Sequence, residues 1–172
     1  MSTASLPLTE LNRMDRSSFV SSIGWVYEHS PWVAEKAWEY RPFADLDALH
    51  SAMDAVVRAA PEEKRLALIQ AHPDLAGRQA KLGQLTEASN HEQTQAGLKG
   101  LTPELTAELD LRNTAYREKF GFPFIICARL ENLNTILAAL ANRLEHDRET
   151  EIILALEEIS KIARLRLMDT IS

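Results

Sequence analysis

The chain has 172 residues, of which 45% are hydrophobic and 26% charged, with 6 Gly and 7 Pro. That describes about one globular domain and excludes disorder, collagen-like repeats and a linker-dominated chain. The 25 acidic and 19 basic side chains leave a net charge of -6. This balance disfavours non-specific nucleic-acid binding, whose affinity comes from Lys and Arg neutralising phosphates.

Helix signals dominate in chain order. Asp15 caps a segment that places Phe19, Ile23 and Val26 on one face. Ser30-Pro31 then pairs an N-cap with a proline at the first helical position, opening a segment through Trp32, Val33, Ala37 and Trp38. Arg41-Pro42 ends it, because the residue before proline is pushed out of the α region. Asp45 starts the next helix, with Leu46, Leu49, Met53, Val56 and Val57 inward. Pro61 restarts the chain, with Glu62 and Glu63 in a first turn whose dipole favours them. That helix runs through Leu66, Leu68 and Ile69 and stops near Ala71, ahead of Pro73.

Thr86 caps a short helix through Gln95, with Gly97 as its stop. Thr102-Pro103 opens a longer one carrying Leu105, Leu109, Tyr116 and Phe120, ended by Gly121. Asn134 begins another, with Ile136, Leu137, Leu140 and Leu144. Asp147 caps the last and longest, with Ile152, Leu156, Ile159, Ala163 and Leu167 inward. Phe122 to Cys127 is the only strand-like stretch, too isolated for a sheet. The expectation is an all-α chain forming a single compact domain of about eight helices over 1–172.

The single cysteine, Cys127, has no partner for an internal disulfide, which fits a reducing compartment. The N-terminus has no readable signal peptide, and no apolar run approaches the ~20 residues that span a bilayer. The C-terminus is not a Ser-Lys-Leu address. A cytoplasmic protein without a membrane partner is the expectation.

Walker A, GxGxxG, HExxH, CxxC and GxSxG patterns are all absent, and the five histidines lack metal-site spacing. No metal or nucleotide site is therefore expected. Three segments remain. In Ala71-His72-Pro73-Asp74-Leu75-Ala76-Gly77-Arg78, His72 falls at a predicted helix C-terminus. The partial negative charge there favours the imidazolium and suits a general acid near neutral pH; the alternative is a C-capping histidine. In Thr86 to Leu98, Ser89 and Glu92 share a helix face, at a spacing that also describes a capping box. In Asn113 to Ala128, an apolar non-helical stretch follows Gly121, and its backbone groups need partners. Those are either a polar ligand or neighbouring helices. Cys127 there reads more simply as a small buried hydrophobe than as a nucleophile.

Taken together, these segments resemble the OHCU decarboxylase family, enzymes acting on 2-oxo-4-hydroxy-4-carboxy-5-ureidoimidazoline in purine catabolism. The likeness runs through Glu28-His29-Ser30-Pro31-Trp32-Val33-Ala34-Glu35, His72-Pro73-Asp74-Leu75 and Ser89-x-x-Glu92-Gln93-x-x-Ala96-Gly97-Leu98. It continues in Lys119-Phe120-Gly121-Phe122-Pro123-Phe124 and in Lys161-Ile162-Ala163-Arg164-Leu165-Arg166-Leu167. No family site position departs. The missing peroxisomal tail of some eukaryotic members favours a bacterial-type cytoplasmic enzyme.

The resemblance implies loss of CO2 and stereospecific protonation to give (S)-allantoin, the last step from urate. It also implies an all-α fold, no metal or organic cofactor, and a homodimer. His72 matches the catalytic histidine and Pro73 its substrate-contacting neighbour. Ser89, Glu92 and Gln93 match the binding segment, with Glu92 taken as catalytic alongside His72. Phe124, Ile125, Ile126, Cys127 and Ala128 match a stretch whose backbone hydrogen-bonds the ligand. Arg166 matches an arginine near the substrate, with Arg143 as the alternative. Other classes are a non-catalytic ureide-binding module and a structural domain in which the motifs only pack; a binding module would not need the proton donor at His72.

Overall fold

A computed structural model describes residues 4–75, 86–95, 98 and 101–172. Two compact units emerge, Met1–Ala71 with Ser160–Ser172, and His72–Ile159. The regular elements among the described residues are all helices, with no strand; one isolated parallel bridge pairs Leu6 with Ile171. No helix among them is long and apolar enough to cross a membrane.

The first unit contains α1 (Leu8–Leu11), α2 (Arg16–Ile23), α3 (Trp32–Ala37), α4 (Leu46–Ala59), α5 (Glu62–Ala71) and the last part of α9 (Arg148–Thr170). Two expected caps form: Asp15 accepts the Ser18 N–H and Asp45 the Ala48 N–H, each at 2.8 Å. α3 packs on α2 and α4, and Phe19, Ile23, Val33, Ala37, Leu49 and Met53 are fully buried between elements of this unit. The single turn α1 has no signal in the sequence reading.

Two expectations for this unit are corrected. Val26 is not part of α2; it closes a 3-10 turn, Gly24–Val26, although it stays buried. A Cβ on Gly24 would lie 3.1 Å from Val20 Cγ1, so a larger residue here would need the Val20 side chain to give by a few tenths of an ångström. Ser30 is not the cap of α3. Its hydroxyl instead donates to the Glu28 carbonyl at 2.8 Å, across a tight turn in which His29 takes φ 46°, and α3 begins at Trp32 behind Pro31. A 3-10 turn, Trp38–Tyr40, extends α3 to Arg41, which is extended ahead of Pro42 as expected.

The second unit contains α6 (Glu87–Gln95), α7 (Pro103–Phe120), α8 (Leu133–Arg143) and the first part of α9. Thr86 Oγ1 accepts the Ser89 N–H and Thr102 Oγ1 the Leu105 N–H, both at 3.2 Å. Asp147 accepts the Thr150 N–H at 2.8 Å. Gly121 ends α7 with φ 81°, a left-handed conformation that costs a residue with a Cβ more than glycine. The expected stop at Gly97, like Ala76, Gly77, Arg78 and Ala96, lies outside the described residues.

Asn134 does not begin α8. Asn132 does, because Thr135 three residues on completes a reciprocal capping box: Asn132 Oδ1 takes the Thr135 N–H at 3.0 Å, and Thr135 Oγ1 takes the Asn132 N–H at 2.9 Å. Phe122 to Cys127, strand-like in sequence, makes no sheet, as expected, and is not a strand either; the segment is non-helical and wholly buried. Tyr116 anchors it, with ring centroids 6.0 Å from Phe122 and 5.3 Å from Phe124.

Candidate active site

α6 is built of Glu-Ala-Ser-Asn-His-Glu-Gln-Thr-Gln, in which Ala88 is the sole apolar residue. Nothing in that composition rewards burial through the hydrophobic effect. Yet Ser89, Glu92 and Gln93, at i, i+3 and i+4 on one face, are 6%, 8% and 4% exposed. Polar and above all ionisable side chains are rarely buried so completely, because each loses hydration that something else must replace. The capping-box alternative fails on position: Thr86 is the cap, and Ser89 is the third residue of the helix, its own N–H already donated to Thr86. A polar face turned inward is what a binding helix needs and a packing helix avoids.

α6 packs against the 3-10 turn Ala128–Leu130, which follows the non-helical Phe122 to Cys127 stretch. Glu92 thereby comes close enough to Cys127 for its charge to act on the thiol. Burial, then the charges of Glu158 and Glu92, push that thiol up from 9.0 to about 11. Cys127 is therefore a neutral thiol at physiological pH, ill suited as a nucleophile. The reading of it as a small buried hydrophobe holds; its residue is 1% exposed.

His72 directly follows the last residue of α5 and is buried, with Pro73 half-buried beside it. The loop they open is held to α7 by two contacts in this unit. Asn113 Nδ2 donates to the Leu75 carbonyl at 3.0 Å, and Arg117 Nη2 donates to Asp74 Oδ1 at 3.1 Å. Asn113 and Arg117 were not recognisable as loop anchors from sequence; a polar Asn on the apolar face with Leu109 and Tyr116 was the available sign.

Two side chains hold the Phe124 to Ala128 stretch by its main chain. Arg143 Nη1 donates to the Ile125 carbonyl at 2.6 Å, and Glu158 Oε1 accepts the Cys127 N–H at 3.3 Å. Arg143 is itself fixed by Glu151, whose Oε1 accepts Arg143 Nε at 2.7 Å and the Tyr116 hydroxyl at 2.6 Å. Glu151 Oε2 lies 2.8 Å from His146 Nδ1, and the Arg143 guanidinium sits 4.5 Å over the Phe124 ring. Burial, followed by the hydrogen bond to Glu151, raises the Tyr116 hydroxyl well above its ordinary range. Arg143, the alternative substrate contact, thus spends two of its three nitrogens on protein partners.

Arg166 belongs to the first unit, 2% exposed, with Nη2 3.0 Å from Glu28 Oε1. Among the described residues no three His, Cys, Asp or Glu side chains gather as metal ligands would.

The family model for OHCU decarboxylase matches residues 12–168. The chain belongs to the OHCU decarboxylase family. The 2-oxo-4-hydroxy-4-carboxy-5-ureidoimidazoline decarboxylase of Haloferax volcanii is 44% identical over 167 residues, 97% of each chain. A crystal structure of an (S)-allantoin synthase superposes with a TM-score of 0.74 at 32% identity, covering 97% of this chain and 54% of that one. A crystal structure of an OHCU decarboxylase in the presence of (S)-allantoin gives 0.63 at 27% identity, covering 79% and 87%.

Proposed function

We propose that the chain decarboxylates 2-oxo-4-hydroxy-4-carboxy-5-ureidoimidazoline and protonates one face of the product, giving (S)-allantoin in urate degradation. Family membership supports the reaction, and the buried polar face of α6 is the observation that carries the site. As CO2 departs, its bonding electrons delocalise into the adjacent C=N of the ring. The protein has then to bind an anionic ureide, exclude water and deliver one proton to a defined face.

His72 is the proposed proton donor, and Glu92 the carboxylate that orients the imidazole or the substrate. Ser89 and Gln93 offer a hydroxyl and an amide, which match the donors and acceptors of a ureido group. Pro73 shapes the entrance to the His72 loop, and the main chain of Phe124 to Ala128 supplies further hydrogen bonds. Arg166 is the proposed cation for the substrate's carboxylate, on the sequence resemblance alone. The same resemblance supports a homodimer, for which light scattering at micromolar concentrations should give twice 19.3 kDa.

The experiment is to mix the purified protein with freshly generated substrate and follow the optical activity of allantoin. Acceleration with the (S) enantiomer in excess is expected. Binding without acceleration would make the chain a ureide-binding module, and neither would leave a structural domain.

A further inference from the structure

The hydrogen bonds that hold the Phe124 to Ala128 stretch determine more than its stability. A trans peptide is planar, so its C=O and N–H point in opposite directions. The peptide bonds on either side of Ile126 are trans. Arg143 holds the Ile125 carbonyl at 2.6 Å, so the Ile126 N–H in the same plane is turned away from Arg143. Glu158 holds the Cys127 N–H at 3.3 Å, so the Ile126 carbonyl is turned away from Glu158. The next peptide is fixed as well, because the Cys127 carbonyl accepts the Leu130 N–H at 3.0 Å.

We propose that Arg143 and Glu158 are positioning residues for the decarboxylation: they pin the two peptides flanking Ile126 so that its N–H and carbonyl are aimed as a donor–acceptor pair at the substrate's ureido or ring amide. The inference rests on the reading that this stretch binds substrate through its main chain. It adds which residue presents the pair and what holds it. The side chains suit the task. Arg143 is itself clamped by the fully buried Glu151 and lies against the Phe124 ring, so its guanidinium has one geometry rather than many. Glu158 and Arg143 come from different helices, α9 and α8, so the stretch is braced by two elements that do not rely on its own flexible torsions. Preorganised main-chain groups cost no reordering when the ligand arrives, which is where such bracing would appear in affinity.

The test uses the full chain and two variants. Arg143→Lys keeps a cation but cannot serve Glu151 and Ile125 together in the same fork. Glu158→Ala removes the grip on Cys127 without touching the buried ion pair. Each should keep a helical circular dichroism spectrum. Each should raise KM and weaken (S)-allantoin binding by roughly 3–10-fold, the range of a lost hydrogen bond, while kcat stays within about twofold. In 15N-resolved NMR the Ile126 amide should shift when (S)-allantoin is added to the wild-type chain, and shift less in both variants. A merely structural role would lower the melting temperature and leave KM and the Ile126 response alone; that result, in either folded variant, overturns the proposal. Should Arg143→Lys fail to fold, Glu158→Ala decides by itself. If the wild-type Ile126 amide ignores (S)-allantoin, the main-chain reading falls with the proposal; if it responds and the variants match it, the bracing alone is wrong.

Discussion

Replacing Cys127 by alanine separates chemistry from packing in the buried Phe122 to Cys127 stretch. The thiol is buried, and its pKa of about 11 leaves roughly 0.03% thiolate at pH 7.5, so no anionic sulfur chemistry is lost with it. The main-chain N–H that Glu158 accepts is retained in alanine. Turnover should therefore stay within about a factor of ten, less than ~1.4 kcal/mol of transition-state energy. Stability should fall by about 1 kcal/mol at pH 8 for the small void left behind. The pH dependence carries a second signature. Because the folded-state pKa is raised from 9.0 to about 11, the stabilisation from a neutral buried thiol is complete below pH 9 and is lost as pH rises through 11. The difference between the wild-type chain and Cys127→Ala should thus move by about 2 kcal/mol between pH 8 and 10.5, turning the ~1 kcal/mol advantage of the thiol into a deficit, which urea unfolding of both proteins would read. A folded Cys127→Ala protein with almost no activity would refute the reasoning and make the thiol a participant. A difference that does not change with pH would refute the assignment of its ionisation.

Glu92→Gln keeps the size and hydrogen-bonding reach of a buried side chain but removes its charge; kcat/KM for freshly generated substrate should fall by about 10–100-fold. Glu151→Gln leaves the Arg143 guanidinium buried without its counter-ion, and urea unfolding should show a loss of about 3–5 kcal/mol. Gly121→Ala meets no atom within 4 Å, so its cost is the left-handed backbone alone, about 1 kcal/mol in the same assay, with activity unchanged.

The helices were legible where the cap is the residue next to an amphipathic run, as at Asp15, Asp45, Thr102 and Asp147. Asn134 misled because two asparagines stand two residues apart, and the choice of Asn132 depends on a reciprocal bond to Thr135 rather than on residue type. Ser30 misled because its hydroxyl has a competing local acceptor in the Glu28 carbonyl. In the candidate site, helical spacing put Ser89 and Glu92 on one face but left a capping box open, and the family resemblance was needed to assign them and Gln93 to binding. The brace of Arg143 and Glu158 was not, because their partners lie 18 and 31 residues away on other elements. The Glu28–Arg166 pair spans 138 residues and has no local signature at all.

The central claim is that His72 delivers the proton that makes the product chiral. The measurement is the rate and enantiomer ratio of allantoin formed by His72→Asn beside the wild-type chain, with circular dichroism confirming the fold. Loss of general acid catalysis should lower kcat by ~10²–10⁴-fold, with residual product closer to racemic. A folded His72→Asn protein that turns over normally and still makes only (S)-allantoin would contradict the assignment and leave His72 as a capping histidine.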